Sequence, residues 1–158
     1  MLPETPSLPL RLCVDTVALT DNWRALDRLS GAARAGAAVK ANGYGVGAVT
    51  ATRALAAAGC RDFFVAHSWE AAEIADVANP ASVSVLHGPH DAADAAYLKQ
   101  AGFRPVINSL RQAQLWIDAQ GGACDLMVDT GINRLGLPLA ELGVPALPEF
   151  AAPKRWSF

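Results

Sequence analysis

The stretch Ala37-Ala38-Val39-Lys40-Ala41-Asn42-Gly43-Tyr44-Gly45-Val46-Gly47 decides how the rest of the chain is read. A short apolar run ends in one lysine, and the chain then turns through three glycines with a single phenol among them. At the end of a buried strand, apolar neighbours disfavour an ammonium ion, which leaves the amine of Lys40 available to form a Schiff base. Alternating glycines let backbone N–H groups approach an anion such as a phosphate, and Tyr44 adds a hydroxyl donor. The plainer reading is a solvated surface lysine in a common glycine-rich turn.

Outward from this stretch the pattern repeats. Downstream, residues 49–58 read as an alanine-rich helix closed by Gly59, followed by a strand at 63–66. A helix opening at Ser68 or Trp69 runs to about Ala78, and a strand covers 83–86. A helix over 91–100 closed by Gly102, a strand at 104–107, a helix capped by Ser109 and a strand at 125–128 complete the series. Upstream, Leu10, Leu12 and Val14 alternate with polar positions as in a half-buried strand, and Asp21 is a plausible N-cap for a helix carrying Trp23, Leu26 and Leu29. Five strands from Ala37 onward, spaced by about twenty residues with helices between them, are the arithmetic of βαβ units. Such units build either an open doubly wound sheet or a closed (β/α)8 barrel, and both place their active sites at strand C-terminal ends, where Lys40 and Arg134 fall.

Composition narrows the function. A chain of 158 residues that is 52% hydrophobic has the make-up of a folded domain, and a formal net charge of −2 supplies no basic patch for nucleic acid and no cationic face for a membrane. Cys13, Cys60 and Cys124 are odd in number and widely spaced, and they read as small buried hydrophobes of a reducing, cytoplasmic protein. His67, His87 and His90 follow strands without metal-ligand spacing and read as solvated loop residues; Glu70, Glu73 and Asp76 read as a solvated helix face.

A second stretch, Asp129-Thr130-Gly131-Ile132-Asn133-Arg134-Leu135-Gly136, changes the specificity of the reading. Together with Val39-Lys40-Ala41-Asn42-Gly43-Tyr44-Gly45, and in the same order, it closely resembles the two landmark motifs of the alanine racemases. The resemblance implies a TIM-barrel type fold, here about five of eight βα units, with pyridoxal 5'-phosphate as cofactor. It implies that Lys40 holds the cofactor and moves the α-proton of alanine on one face. Tyr44 would donate to the cofactor phosphate, and Arg134 would reach the cofactor's phenolic oxygen and the substrate carboxylate. Gly43, Gly45 and Gly47 serve turn geometry in this reading. Two positions depart from the family pattern: Val46 replaces its usual histidine, and Met127 stands where some members carry a lysine.

The resemblance spans residues 10–136. Residues 1–9, with three prolines, read as a disordered leader, and 137–158 as a proline-rich tail outside the family pattern, without a further strand. The expectation is a truncated or frame-shifted racemase, or a fragment of one. Full-length members are homodimers whose second base, a tyrosine, comes from a second domain of the other subunit, so this chain alone is expected to interconvert L- and D-alanine little or not at all. Two alternatives stay open: a non-catalytic cofactor-binding remnant, and another racemase or decarboxylase of the same barrel family.

Overall fold

The apolar runs from Ala37 onward become strands because each is flanked by a helix that covers one of its faces. In the computed structural model, which describes residues 10 and 12–142, β1 (Ala37–Ala38), β2 (Phe63–Val65), β3 (Val83–Val85), β4 (Arg104–Ile107) and β5 (Asp125–Leu126) form one parallel sheet. Its order is β1-β2-β3-β4-β5, with Ala37 opposite Phe63, Phe63 opposite Val83, Ser84 opposite Arg104 and Val106 opposite Asp125. A doubly wound sheet reverses its order at a switch point; an unbroken sequential order is the winding of a barrel wall. The fold is therefore α/β of TIM-barrel type, and its sheet is not closed among the described residues.

Six helical segments accompany the strands: α1 (Thr16–Leu29), a short α2 (Lys40–Tyr44), α3 (Ala48–Ala58), α4 (Ser68–Glu73), α5 (Ala92–Ala101) and α6 (Leu110–Asp118). Gly59 and Gly102 end α3 and α5 at φ 116° and 77°, left-handed values that glycine adopts without steric cost. Asp91 and Ser109 cap α5 and α6 by accepting from Asp94 N and Gln112 N. One face of the sheet packs on these helices, bringing Phe63, Val65, Val83, Val85 and Ile107 against Leu55, Ile74, Leu98 and Trp116. Ile74 and Leu98 are fully enclosed, and burying each contributes about 1.5–3 kcal/mol.

Several expectations need correction. Helix α1 starts before Asp21, because Asp15 accepts from Val17 N and Ala18 N and satisfies two otherwise unpaired donors. Helix α4 stops at Glu73 rather than near Ala78. Leu10 and residues 12–14 form no strand, and Leu10 and Leu12 are 86% and 80% exposed, because no partner strand lies beside them among the described residues. Cys60 is buried as expected, but Cys13 is exposed.

The wall also continues past Gly136. β6 (Val128–Asp129) pairs in parallel with β7 (Leu137–Pro138), and Met127, between β5 and β6, donates to Ile107 O (3.0 Å) while accepting from Leu137 N (2.8 Å). Two residues are too short to leave a periodic signature, which is why the sequence pattern offers no strand there. The expected leader, 1–9, and residues 143–158 of the expected tail lie outside the described residues.

Candidate active site

The first functional side chain is presented by a turn of the wrong hand. Val39 is buried in the core, and the backbone from Ala41 to Tyr44 then takes φ values of 52°, 52°, 63° and 54°. Four consecutive left-handed residues are unusual, since each non-glycine L-residue there costs roughly 1–2 kcal/mol. Gly43 is required at its place: a Cβ would stand 3.2 Å from Ala48 N and 3.3 Å from Ala48 Cα. Asn42 tolerates the conformation and uses it, its side-chain oxygen accepting from Ala48 N at 2.9 Å to start α3.

This turn does not form the expected anion cradle. Gly43 N donates to Val39 O (2.8 Å), Gly45 N to Ala41 O (3.2 Å), Val46 N to Gly43 O (3.1 Å), and Gly47 N to Asn42 O (2.9 Å). These N–H groups are spent on the turn itself, so the three glycines supply shape. Tyr44 is 65% exposed and makes no hydrogen bond among the described residues.

Lys40 stands half-buried between the end of β1 and this turn, with no carboxylate at ion-pair distance among the described residues. Arg134 arrives from the other end of the wall. Asp129 accepts from Gly131 N (2.9 Å) and Asn133 N (3.1 Å), which folds the β6–β7 connection into a tight turn and holds the Asp129 carboxyl below its usual range. Arg134 follows this turn, exposed.

His87, just beyond β3, registers both cations. Loss of hydration lowers its pKa first, followed by the positive charges of His67 and Lys40, with a smaller contribution from Arg134, while the Glu70 carboxylate opposes them. Lys40 and Arg134 both follow strand C-terminal ends, and both charges act on His87.

Sequence reasoning missed the second layer around these residues. His67 is no isolated solvated residue: it stacks on Trp69 at 4.1 Å and meets His87 edge-on at 4.3 Å. Glu70 is no bystander on a solvated face, for it accepts from Ala41 N (2.7 Å), Ala66 N (2.6 Å) and His67 N (3.1 Å). Glu73 and Asp76 are exposed, as expected. Gln112 donates to His87 O (2.6 Å) and accepts from Asn108 N (2.8 Å), and Asn108 donates to Leu86 O (2.9 Å), tying the ends of β3 and β4 together. The signal available for Glu70 was its place three residues after His67 at a helix start, the spacing of a capping carboxylate.

The model of the alanine racemase N-terminal domain matches residues 14–154. The chain belongs to that family. The match runs beyond Gly136, where the resemblance read from the two motifs stops. An alanine racemase of Rhizobium meliloti is 41% identical over 96% of this chain and 42% of its own length, and the biosynthetic alanine racemase of Agrobacterium fabrum is 44% identical over 84% and 35%. The crystal structure of alanine racemase from Bartonella henselae, with covalently bound pyridoxal phosphate, superposes with a TM-score of 0.71 at 35% identity, covering 82% of this chain and 37% of that one. The chain thus spans about two-fifths of the length of these alanine racemases.

Proposed function

We propose that this chain supplies the cofactor-lysine part of a pyridoxal-phosphate-dependent alanine racemase. The observation that supports the proposal is the delivery of Lys40, beyond the C-terminal end of β1, by a strained left-handed turn, since strain of that kind gathers at functional sites; Arg134 likewise follows the C-terminal end of a wall strand. The residues present suit an anionic, carbonyl-bearing group: a primary amine free of carboxylate partners among the described residues, a guanidinium, and an exposed phenol on the adjoining turn.

When bound, pyridoxal phosphate supplies the electron sink that makes the α-proton of an amino acid acidic. In this reading Lys40 holds the cofactor and carries a proton to and from the substrate Cα on one face. Arg134 pairs with the cofactor's phenolic oxygen and the substrate carboxylate, for which a planar, permanently charged fork of donors is suited. Tyr44 donates its hydroxyl to the phosphate. Racemisation needs proton exchange on both faces of a planar carbanion, and among the described residues Lys40 serves one. The second carrier then comes from elsewhere in a homodimer, and this chain by itself turns over alanine slowly or not at all.

The barrel portion in this reading extends past Gly136 to include β7. The place of action is the cytoplasm, in supplying D-alanine for peptidoglycan. Three unpaired cysteines suit a reducing compartment, and no helix among the described residues is long and apolar enough to cross a membrane.

The test is borohydride trapping of pyridoxal phosphate on the purified chain, followed by peptide mass mapping. Label concentrated on Lys40, and reduced by prior incubation with alanine but not with ornithine, is the expected result. Label spread evenly over Lys40, Lys99 and Lys154 would refute the proposal.

A further inference from the structure

We propose that Glu70 is the positioning residue for Lys40, its carboxylate stapling the backbone just after the lysine to the end of the neighbouring strand. The inference rests on the reading of Lys40 as the cofactor lysine and adds to it the group that aims it.

The two carboxylate oxygens are divided between two loops. One accepts from Ala41 N at 2.7 Å, and the other from Ala66 N at 2.6 Å and His67 N at 3.1 Å. Capping α4 needs only the second oxygen, since a carboxylate at this helical position takes the N–H of the capping residue. The bond to Ala41 crosses to a different βα unit and serves the lysine loop. Glu73, one turn further along the same helix, is exposed and makes no such contact.

The loop it grips has to be held. A run of left-handed residues persists only where the surrounding structure over-determines it. The far end of the turn is fixed by Asn42 at the start of α3, and the middle by Gly43 N on Val39 O. The near end, next to Lys40, is fixed from outside the turn by Glu70. The chemistry of the grip is also apt, because Glu70 binds a backbone N–H and leaves the Lys40 amine without a carboxylate partner among the described residues. Although burial pushes the Glu70 carboxyl up, the bonds from Ala41, His67 and Ala66 and the nearby His67 charge outweigh it, and the group is held below its usual range as the anion these bonds require.

The experiment compares the rates at which substoichiometric pyridoxal phosphate is trapped by borohydride on Lys40 and on the surface residue Lys99, in the unaltered chain, Glu70→Ala, Glu70→Gln and the control Glu73→Ala. Circular dichroism and thermal melts establish which variants are folded. The expected Lys40-to-Lys99 ratio falls about tenfold in Glu70→Ala, the scale of one charge-assisted hydrogen bond. It falls less in Glu70→Gln, whose single amide oxygen can keep one loop but not both, and stays at the parent value in Glu73→Ala. A merely structural role would lower the melting temperature without changing this ratio in the folded protein. A parent ratio in folded Glu70→Ala overturns the inference while leaving the cofactor reading intact; if that variant does not fold, a parent ratio in Glu70→Gln does the same. A ratio near one in the unaltered chain overturns both.

Discussion

Replacing Gly43 by alanine puts the left-handed turn to a quantitative test. At φ 63° an alanine carries the αL penalty of roughly 1–2 kcal/mol, and its Cβ would sit 3.2 and 3.3 Å from the backbone of Ala48. That backbone cannot easily retreat, because Asn42 holds Ala48 N at 2.9 Å, so overpacking adds about 1–2 kcal/mol. The expected total is about 2–4 kcal/mol, or a fall in melting temperature of about 4–16 °C for a chain of this size. Gly45→Ala separates the two contributions: φ is 88°, but nothing lies within 4 Å of the new methyl, so about 1–2 kcal/mol is expected. Ala41→Gly reverses the sign of the conformational part, since glycine at φ 52° relieves strain while adding chain entropy to the unfolded state, and the net change should lie between zero and about 1 kcal/mol of stabilisation. Urea denaturation followed by circular dichroism, with slopes compared to check that unfolding stays two-state, measures all three. If Gly43→Ala lies within about 0.5 kcal/mol of the parent, or Gly45→Ala is as costly as Gly43→Ala, the turn is not built as described.

Three shorter tests follow. The His87 pKa lies below the ordinary value of about 6.5, so the folded chain favours neutral imidazole; its share of stability is complete above that value and is lost as pH falls below it. Lys40→Met and Arg134→Met should each raise that pKa in an NMR titration, with Lys40→Met the larger effect, and an unmoved His87 in both would show that neither charge reaches it. Among the thiols, exposed Cys13 should react fast with an aromatic disulfide at pH 8 and Cys60 and Cys124 slowly, because burial pushes both thiols up, Cys124 to about 11; three equally fast reactions would contradict the packing. Asp15→Ala removes the acceptor for Val17 N and Ala18 N and should cost about 0.5–2 kcal/mol by urea denaturation, whereas Asp21→Ala should cost less.

How much of this was legible in the sequence depends on the range of the interaction that fixes each feature. The five wall strands and the glycine ends of α3 and α5 are local, written in short apolar runs and in residues that alone tolerate positive φ, and they were read within a residue or two. Lys40 and Arg134 stood out because each sits in a motif dense in unusual residue types. The handedness of the turn after Lys40 did not, since alanine has no preference for left-handed backbone, and what imposes it is the surrounding packing and Glu70, 29 residues away. The start of α1 was misplaced because Asp15 and Asp21 are equally good caps by type, and only the structure shows which one faces free N–H groups. The meeting of His67 and His87 is not legible in their spacing, because it depends on β2 and β3 ending side by side.

Side-chain contacts near the strand N-termini show that the wall is curved. Arg104, opening β4, reaches Asp62 just before β2 at 3.5 Å, and Ser84 on β3 donates to Asp125 at the start of β5 at 2.5 Å. Each contact skips the strand between. In a flat sheet, next-nearest strands stand about 9–10 Å apart, so side chains of this length meet across them only on a concave face. The residues concerned lie near strand N-termini, while Lys40, His67, His87 and Arg134 lie beyond C-termini. Polar groups thus occupy both ends of the wall: at the base, an ion pair and a buried hydroxyl link alternate strands, and beyond the C-terminal ends stand Lys40 and Arg134.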